Sequence, residues 1–125
     1  MEVMKGFTLL CLLLTPAIML GIALDWKKHP PKKINWIYGY RTKRSTASQA
    51  AWDFAHRYCS GLWLRLGGAL GAGTVLAVLL AWRQAWFYEA VCAIAAVQVA
   101  VLLLSILPVE RALRARFDEH GNPKE

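Results

Sequence analysis

Arg41 has the clearest chemical reach of any side chain in this sequence. Gly39 stands two residues before it and Thr42 directly after, so the backbone can turn tightly and present the guanidinium. A planar guanidinium fork matches a carboxylate or a phosphate. The plainer role is anchoring to lipid headgroups, common for basic residues that snorkel at a membrane surface. Asn35, Gly39, Tyr40, Thr42, Trp52, His56 and Arg57 complete the candidate binding set. His56 and Cys59 stand three apart, but two ligands fall short of the spacings that identify zinc. His29 and His120 lie in segments that read as poorly ordered, so neither a metal nor a cofactor is expected. His56 reads instead as a hydrogen-bonding partner of the 35–42 loop. Asp53, His56 and Arg57 near Arg41 would make an acid/base cluster, yet nothing marks a nucleophile. Ser45, Ser48 and Ser60 are ordinary helix-end serines. The expectation is a binding protein and not an enzyme.

The elements that must position these residues are set by hydrophobicity. Apolar residues are 57% of the 125-residue chain and charged residues 18%, against roughly 45–50% and 25% in an ordinary soluble domain. The charges avoid three stretches. Residues 7–24 carry none; 62–82 are broken only by Arg65, and 87–107 only by Glu89. A bilayer core about 30 Å thick takes about 20 helical residues to cross, and backbone polar groups in lipid must be satisfied internally. The spacing predicts an all-α integral membrane protein with three transmembrane helices at 7–24, 62–82 and 87–107. The cytoplasmic loop is 25–61, the tail is 108–125, and residues 1–125 form a single domain. A cleaved signal peptide is the rival for the first stretch, with Gly21-Ile22-Ala23 as a loose cleavage site. One Lys5 balanced by Glu2, and Pro16 inside the apolar run, favour a retained span. The three cysteines form no disulfide framework.

Lysine and arginine give the orientation. The first loop holds Lys27, Lys28, Lys32, Lys33, Arg41, Lys43, Arg44 and Arg57, and the tail holds Arg111, Arg114, Arg116 and Lys124. The other side has only Lys5 and Arg83. The positive-inside rule puts loop and C-terminus in the cytoplasm and the N-terminus outside, in a multi-pass inner (plasma) membrane protein. The net charge of +7 suits anionic headgroups. No nucleic-acid module is present, and nucleic acid is not an expected partner.

Along the loop, His29-Pro30-Pro31 excludes a regular helix. Trp36, Tyr38 and Tyr40 suit the membrane interface. Thr46 and Gln49 fit a capping box, as N-cap and N3. From there to Ser60 an amphipathic helix is expected on the inner leaflet, with Trp52, Ala55 and Cys59 on one face, Asp53, Arg57 and Ser60 on another, and His56 on the boundary. Gly67 and Gly71 form a GxxxG, and Ala69, Gly73, Ala77 and Ala81 a second small ridge. Ala93, Ala96 and Ala100 offer a counter-surface. Gly67, Gly71 and Gly73 equally suit a homo-oligomer. Arg65 and Glu89 can snorkel, and Gln98 reads as bonding another helix. Pro108 marks the exit of the third span, 109–117 reads as a short basic helix, and residues 118–125 should fray.

The run Asn35, Gly39, Tyr40, Arg41 and Thr42, then Ser45, Trp52, Ala55, His56 and Arg57, resembles the SdpI family. That family is named for a bacterial immunity protein against a secreted killing peptide. Pro108-Val109-Glu110 followed by Arg116-Phe117-Asp118 resembles the family's end, and the likeness covers roughly Ile34 to Asn122. The resemblance implies a non-enzymatic immunity or resistance role, in which a peptide toxin or a cytoplasmic repressor is bound. The rivals from other classes are a small membrane enzyme acting on lipid or envelope precursors, and a scaffold subunit assembling through its glycine face.

Overall fold

A computed structural model describes residues 2–124. It contains four helices: α1 (Glu2–Lys28), α2 (Gln49–Ala81), α3 (Phe87–Leu104) and α4 (Ile106–Arg116). The first two, and α3 taken together with α4, are long and apolar enough to cross a membrane. Large apolar side chains such as Phe7, Leu14, Leu76, Leu80, Val97 and Leu104 are more than half exposed. Such an outer surface is at home in lipid, where apolar contact costs nothing.

The helices run beyond the expected spans, chiefly toward the loop and the tail. At about 1.5 Å per residue, the 33 residues of α2 run about 50 Å, well beyond a core of about 30 Å. The segment expected as a separate interfacial helix is therefore the first part of α2, collinear with the span. Its apolar face is covered by protein: Ala51, Trp52, Ala55 and Cys59 are fully buried, the alanines and Cys59 in a core with Trp26, Tyr40, Val109, Leu113 and Phe117. The helix also starts later than the capping box places it. Ser48 is the N-cap, extended at φ −157°, and its side chain accepts from the Ala51 N–H at 3.0 Å. Thr46 Oγ1 donates instead to the Thr42 carbonyl at 2.7 Å, and Gln49 reaches sideways to Lys32 and Asp53.

α1 and α2 make the closest helix pair. A Cβ on Gly67 would stand 3.0 Å from Leu20, and one on Gly71 3.5 Å from Pro16, so the GxxxG is occupied within the chain. The second ridge faces α3 across a gap. Ala69, Gly73, Ala77, Ala93 and Val97 line an apolar groove of about 330 Å³, and a Cβ on Gly73 would meet nothing within 4 Å. Gln98 of α3 crosses to both other helices, donating to the Leu12 carbonyl at 2.8 Å and to Thr74 Oγ1 at 3.0 Å. Leu12 is the residue whose carbonyl would take the N–H of residue 16 in an α-helix. Residue 16 is proline and has no N–H, so Gln98 satisfies the carbonyl that Pro16 orphans.

The chain ends sort by side. Lys5 donates to the Trp82 carbonyl and Trp82 Nε1 to Glu2, so the N-terminus and the α2–α3 turn share one end. The 29–48 loop, the start of α2, α4 and the tail share the other. The tail does not fray through Lys124. Gly121, at φ +80°, closes a turn in which Asp118 N–H donates to Asn122 and Lys124 N–H to Arg116. The Asp118 carboxylate accepts from His120 and Asn122 N–H, both at 2.9 Å, and the Asn122 bond chiefly holds its carboxyl below its usual range. Ser48 Oγ donates to the Gly121 carbonyl, tying the tail to the cap of α2.

Candidate functional site

The 29–48 loop folds over the start of α2, and His56 is its peg. Tyr40 N–H donates to His56 Nε2 at 2.8 Å. A backbone N–H can only donate, so Nε2 is the acceptor and the proton sits on Nδ1. Nδ1 then donates to the Trp52 carbonyl at 2.7 Å. The ring is fully buried between Trp26 and Trp52, at centroid distances of 4.7 and 4.4 Å. His56, placed by periodicity on the boundary of the helix face, is thus structural, and the expected bond to the 35–42 loop is present. Trp52 Nε1 donates to the Pro31 carbonyl at 2.7 Å, so one turn of α2 fixes both limbs of the loop.

Gly39 has a steric reason to be glycine. Its φ is +120°, where side chains are disfavoured, and an added Cβ would lie 2.7 Å from His56 Nε2 and 2.9 Å from the Trp52 ring. Asn35 makes a local turn, its Oδ1 accepting from the N–H groups of Ile37 and Tyr38. Tyr40 and Thr42 point elsewhere: both hydroxyls donate to one oxygen of Glu110, at 2.9 and 3.0 Å. Burial first, and then the bond to Glu110, push the Tyr40 phenol above its ordinary value, so it stays a neutral donor. Ser45, fully buried, closes the turn by donating to the Tyr40 carbonyl and accepting from Thr42 N–H. Glu110 is held opposite because Val109, Leu113 and Phe117, at helical spacing on α4 and just past its end, bury into the core under α2.

Arg41, unlike its neighbours Tyr40 and Thr42, faces outward. Its guanidinium reaches the Trp36 carbonyl at 3.3 Å and lies 5.1 Å from the Trp36 ring centre. It borders a groove of about 300 Å³ whose walls are Trp26, Gly39, Tyr40, Thr42, Trp63, Leu102, Leu103 and Ile106. Trp63 is fixed there by a bond from its Nε1 to Ser105 Oγ. The groove is apolar except at the Arg41–Thr42 edge, and it opens beside Leu103 and Ile106, which are exposed on the span.

Of the sequence-derived set, Gly39, Tyr40, Thr42, Trp52 and His56 are brought together as a frame, with Asn35 shaping the turn before it. Arg41 stands on the frame's surface. Arg57 is separate: it lines other clefts, with Asp53 and Pro30, and Asp53 binds Gln49. Asp53 and Arg57 border clefts that neither Arg41 nor His56 lines, so the four are not brought together as an acid/base cluster. Among the described residues no group of three or more potential metal ligands occurs. Sequence reasoning missed Glu110 and Ser45 as parts of the site. Glu110 carried a signal, as part of the Pro108-Val109-Glu110 run.

Residues 32–109 match the SdpI/YfhL protein family. The uncharacterized protein YfhL of Bacillus subtilis (strain 168) is 46% identical over 56 residues, 45% of this chain and 48% of that relative. The chain thus matches about half of that relative's length. No solved structure matches significantly. The family match begins in the loop that His56 pegs and ends at Val109, one residue short of Glu110, and it takes in well over half of the 125 residues; the chain belongs to the SdpI/YfhL family.

Proposed function

We propose that this chain is an immunity- or resistance-type membrane protein, not an enzyme, that binds a membrane-active peptide at the Arg41 groove. One observation carries the reading: an exposed guanidinium at the edge of an apolar groove that opens toward lipid-exposed Leu103 and Ile106. Its backbone is rigidly framed by His56, Ser45 and Glu110. An apolar groove with one cationic edge suits a peptide that lies in the interface and presents a carboxylate, and preformed sites lose less freedom on binding. Family membership supports the immunity type. The site is on the cytoplasmic face of the inner membrane in this proposal, as the basic loop and tail share one end. A reporter fused after Lys124 then reads cytoplasmic and one inserted at Gln84 external; opposite readings would overturn the orientation.

The functional test is complementation of a deletion strain, challenged with membrane-active peptides, by Arg41→Lys and Arg41→Gln at matched membrane levels. A hydrogen-bonded charge is worth about 1.5–3 kcal/mol, so both variants should lose roughly tenfold or more in protection. Lysine keeps the charge and loses the fork. Rescue by Lys but not Gln reduces Arg41 to a lipid anchor, and rescue by both removes it from the mechanism.

A further inference from the structure

Trp26 lines the Arg41 groove and also a second cleft, of about 400 Å³, between the end of α1 and α2. The second cleft has Lys27 and Arg57 in its lining and Gly61 and Leu64 farther along α2. Both cations are exposed, and neither side chain makes an ion pair or donates a hydrogen bond among the described residues. Asp25 accepts from Tyr38 at 2.8 Å and Asp53 from Gln49 at 2.9 Å, and among the described residues neither forms an ion pair with Lys27 or Arg57. Gly61 keeps the wall low, since a Cβ there would meet nothing within 4 Å. Leu64 stands where the apolar span of α2 begins, so the cleft joins the polar end of the molecule to its lipid-facing surface.

We infer that this cleft seats one anionic phospholipid, its phosphate between Lys27 and Arg57 and an acyl chain laid over Gly61 and Leu64. Two free cations above an apolar floor complement a headgroup that carries negative charge and a chain together. The apolar floor is what separates this occupant from a soluble phosphate, which has no use for it. Arg57 supplies a planar fork that matches phosphate geometry, and Lys27 a point charge.

The test uses the purified full-length chain in detergent, with retention of phosphatidylglycerol measured by native mass spectrometry against phosphatidylcholine. Diffuse attraction is worth about 1 kcal/mol per basic residue near a surface, which is about fivefold. Lys27→Gln and Arg57→Gln should each weaken phosphatidylglycerol retention tenfold or more, whereas Lys43→Gln, on the exposed loop, should stay within that diffuse fivefold. Gly61→Leu fills the floor without changing charge, at a site with open space and a better helix former, and should also cost tenfold. The seat is refuted by equal losses at Lys43 and Lys27, by an unaffected Gly61→Leu, or by equal retention of the two lipids. It is refuted as a lipid site if glycerol phosphate displaces phosphatidylglycerol at comparable concentration.

Discussion

At the basic end, Tyr40 is bonded to His56, sixteen residues away in sequence, and Thr42 and Tyr40 to Glu110, 68 and 70 residues away. In the middle of the spans one side chain, Gln98, links the helices, and beside it α2 and α3 leave a groove lined by alanines and Gly73. No buried side-chain nitrogen or oxygen among the described residues lacks a partner in either region. The regions therefore differ in how they spend polarity. The loop has no regular ladder, so each backbone group it buries needs a dedicated partner. The spans satisfy their backbones by being helical and need a side chain only where a proline breaks the ladder. A rigid frame results at one end and a loosely packed bundle in the other region, and glycines should reveal the contrast most sharply.

The largest effect is expected from Gly39→Ala. A side chain at φ +120° sits in a region costing of order 1–3 kcal/mol. The new Cβ would also meet His56 Nε2 at 2.7 Å, and that ring is held by bonds at both nitrogens. A loss of about 3 kcal/mol or more should show as a lower unfolding midpoint in detergent and faster cleavage of the 29–48 loop by protease. Gly73→Ala, with nothing within 4 Å, should be neutral or gain up to about 1 kcal/mol from helix propensity. Equal responses at the two glycines would erase the distinction between the regions.

His56→Leu comes next. It keeps much of the buried volume but leaves the Tyr40 N–H without its partner, while the Trp52 carbonyl keeps the helical bond from the His56 backbone N–H. An orphaned buried group costs about 1–3 kcal/mol, so about 2 kcal/mol is expected, with the loop loosened and α2 intact. Amide exchange at Tyr40 should rise well above that at neighbouring helical amides. Unchanged protection there would mean that the loop is held by packing alone.

Periodicity exposed the part of this frame that is local. Trp52, Ala55 and Cys59 read as one face and are buried together; Gln98 read as a helix-to-helix bond and makes one. Apolar run length marked three helices able to cross a membrane, though not how far those helices extend, because a helix continues past the lipid wherever protein covers its apolar face. What sequence hid was partnership at a distance. Thr46 and Ser48 are both sound N-caps by type, and the choice was settled by where each hydroxyl finds a partner: Thr42 for one, Ala51 N–H and Gly121 for the other. The 118–125 segment is polar enough to read as loose, but Gly121 at positive φ and the buried Phe117 fold it back as far as Lys124. Glu110 looked like one charge on a basic helix until Tyr40 and Thr42 were seen to converge on it.

The smallest effect tests the polar link in the middle of the spans. Gln98→Leu removes the donor to the Leu12 carbonyl and to Thr74. Thr74 can turn its hydroxyl to a carbonyl of its own helix, so the loss should come mainly from Leu12. Side-chain hydrogen bonds between helices in membranes average roughly 0.6 kcal/mol and reach about 1.7, and about 1 kcal/mol is expected. Pro16→Ala supplies the missing N–H to the same carbonyl while keeping the Cβ that meets Gly71. Gln98→Leu should then cost less than half as much in the Pro16→Ala background as in the original chain. Such non-additivity reports a shared partner. Strict additivity would show that Gln98 acts through Thr74 or through packing, and that the carbonyl left by Pro16 is not what it serves.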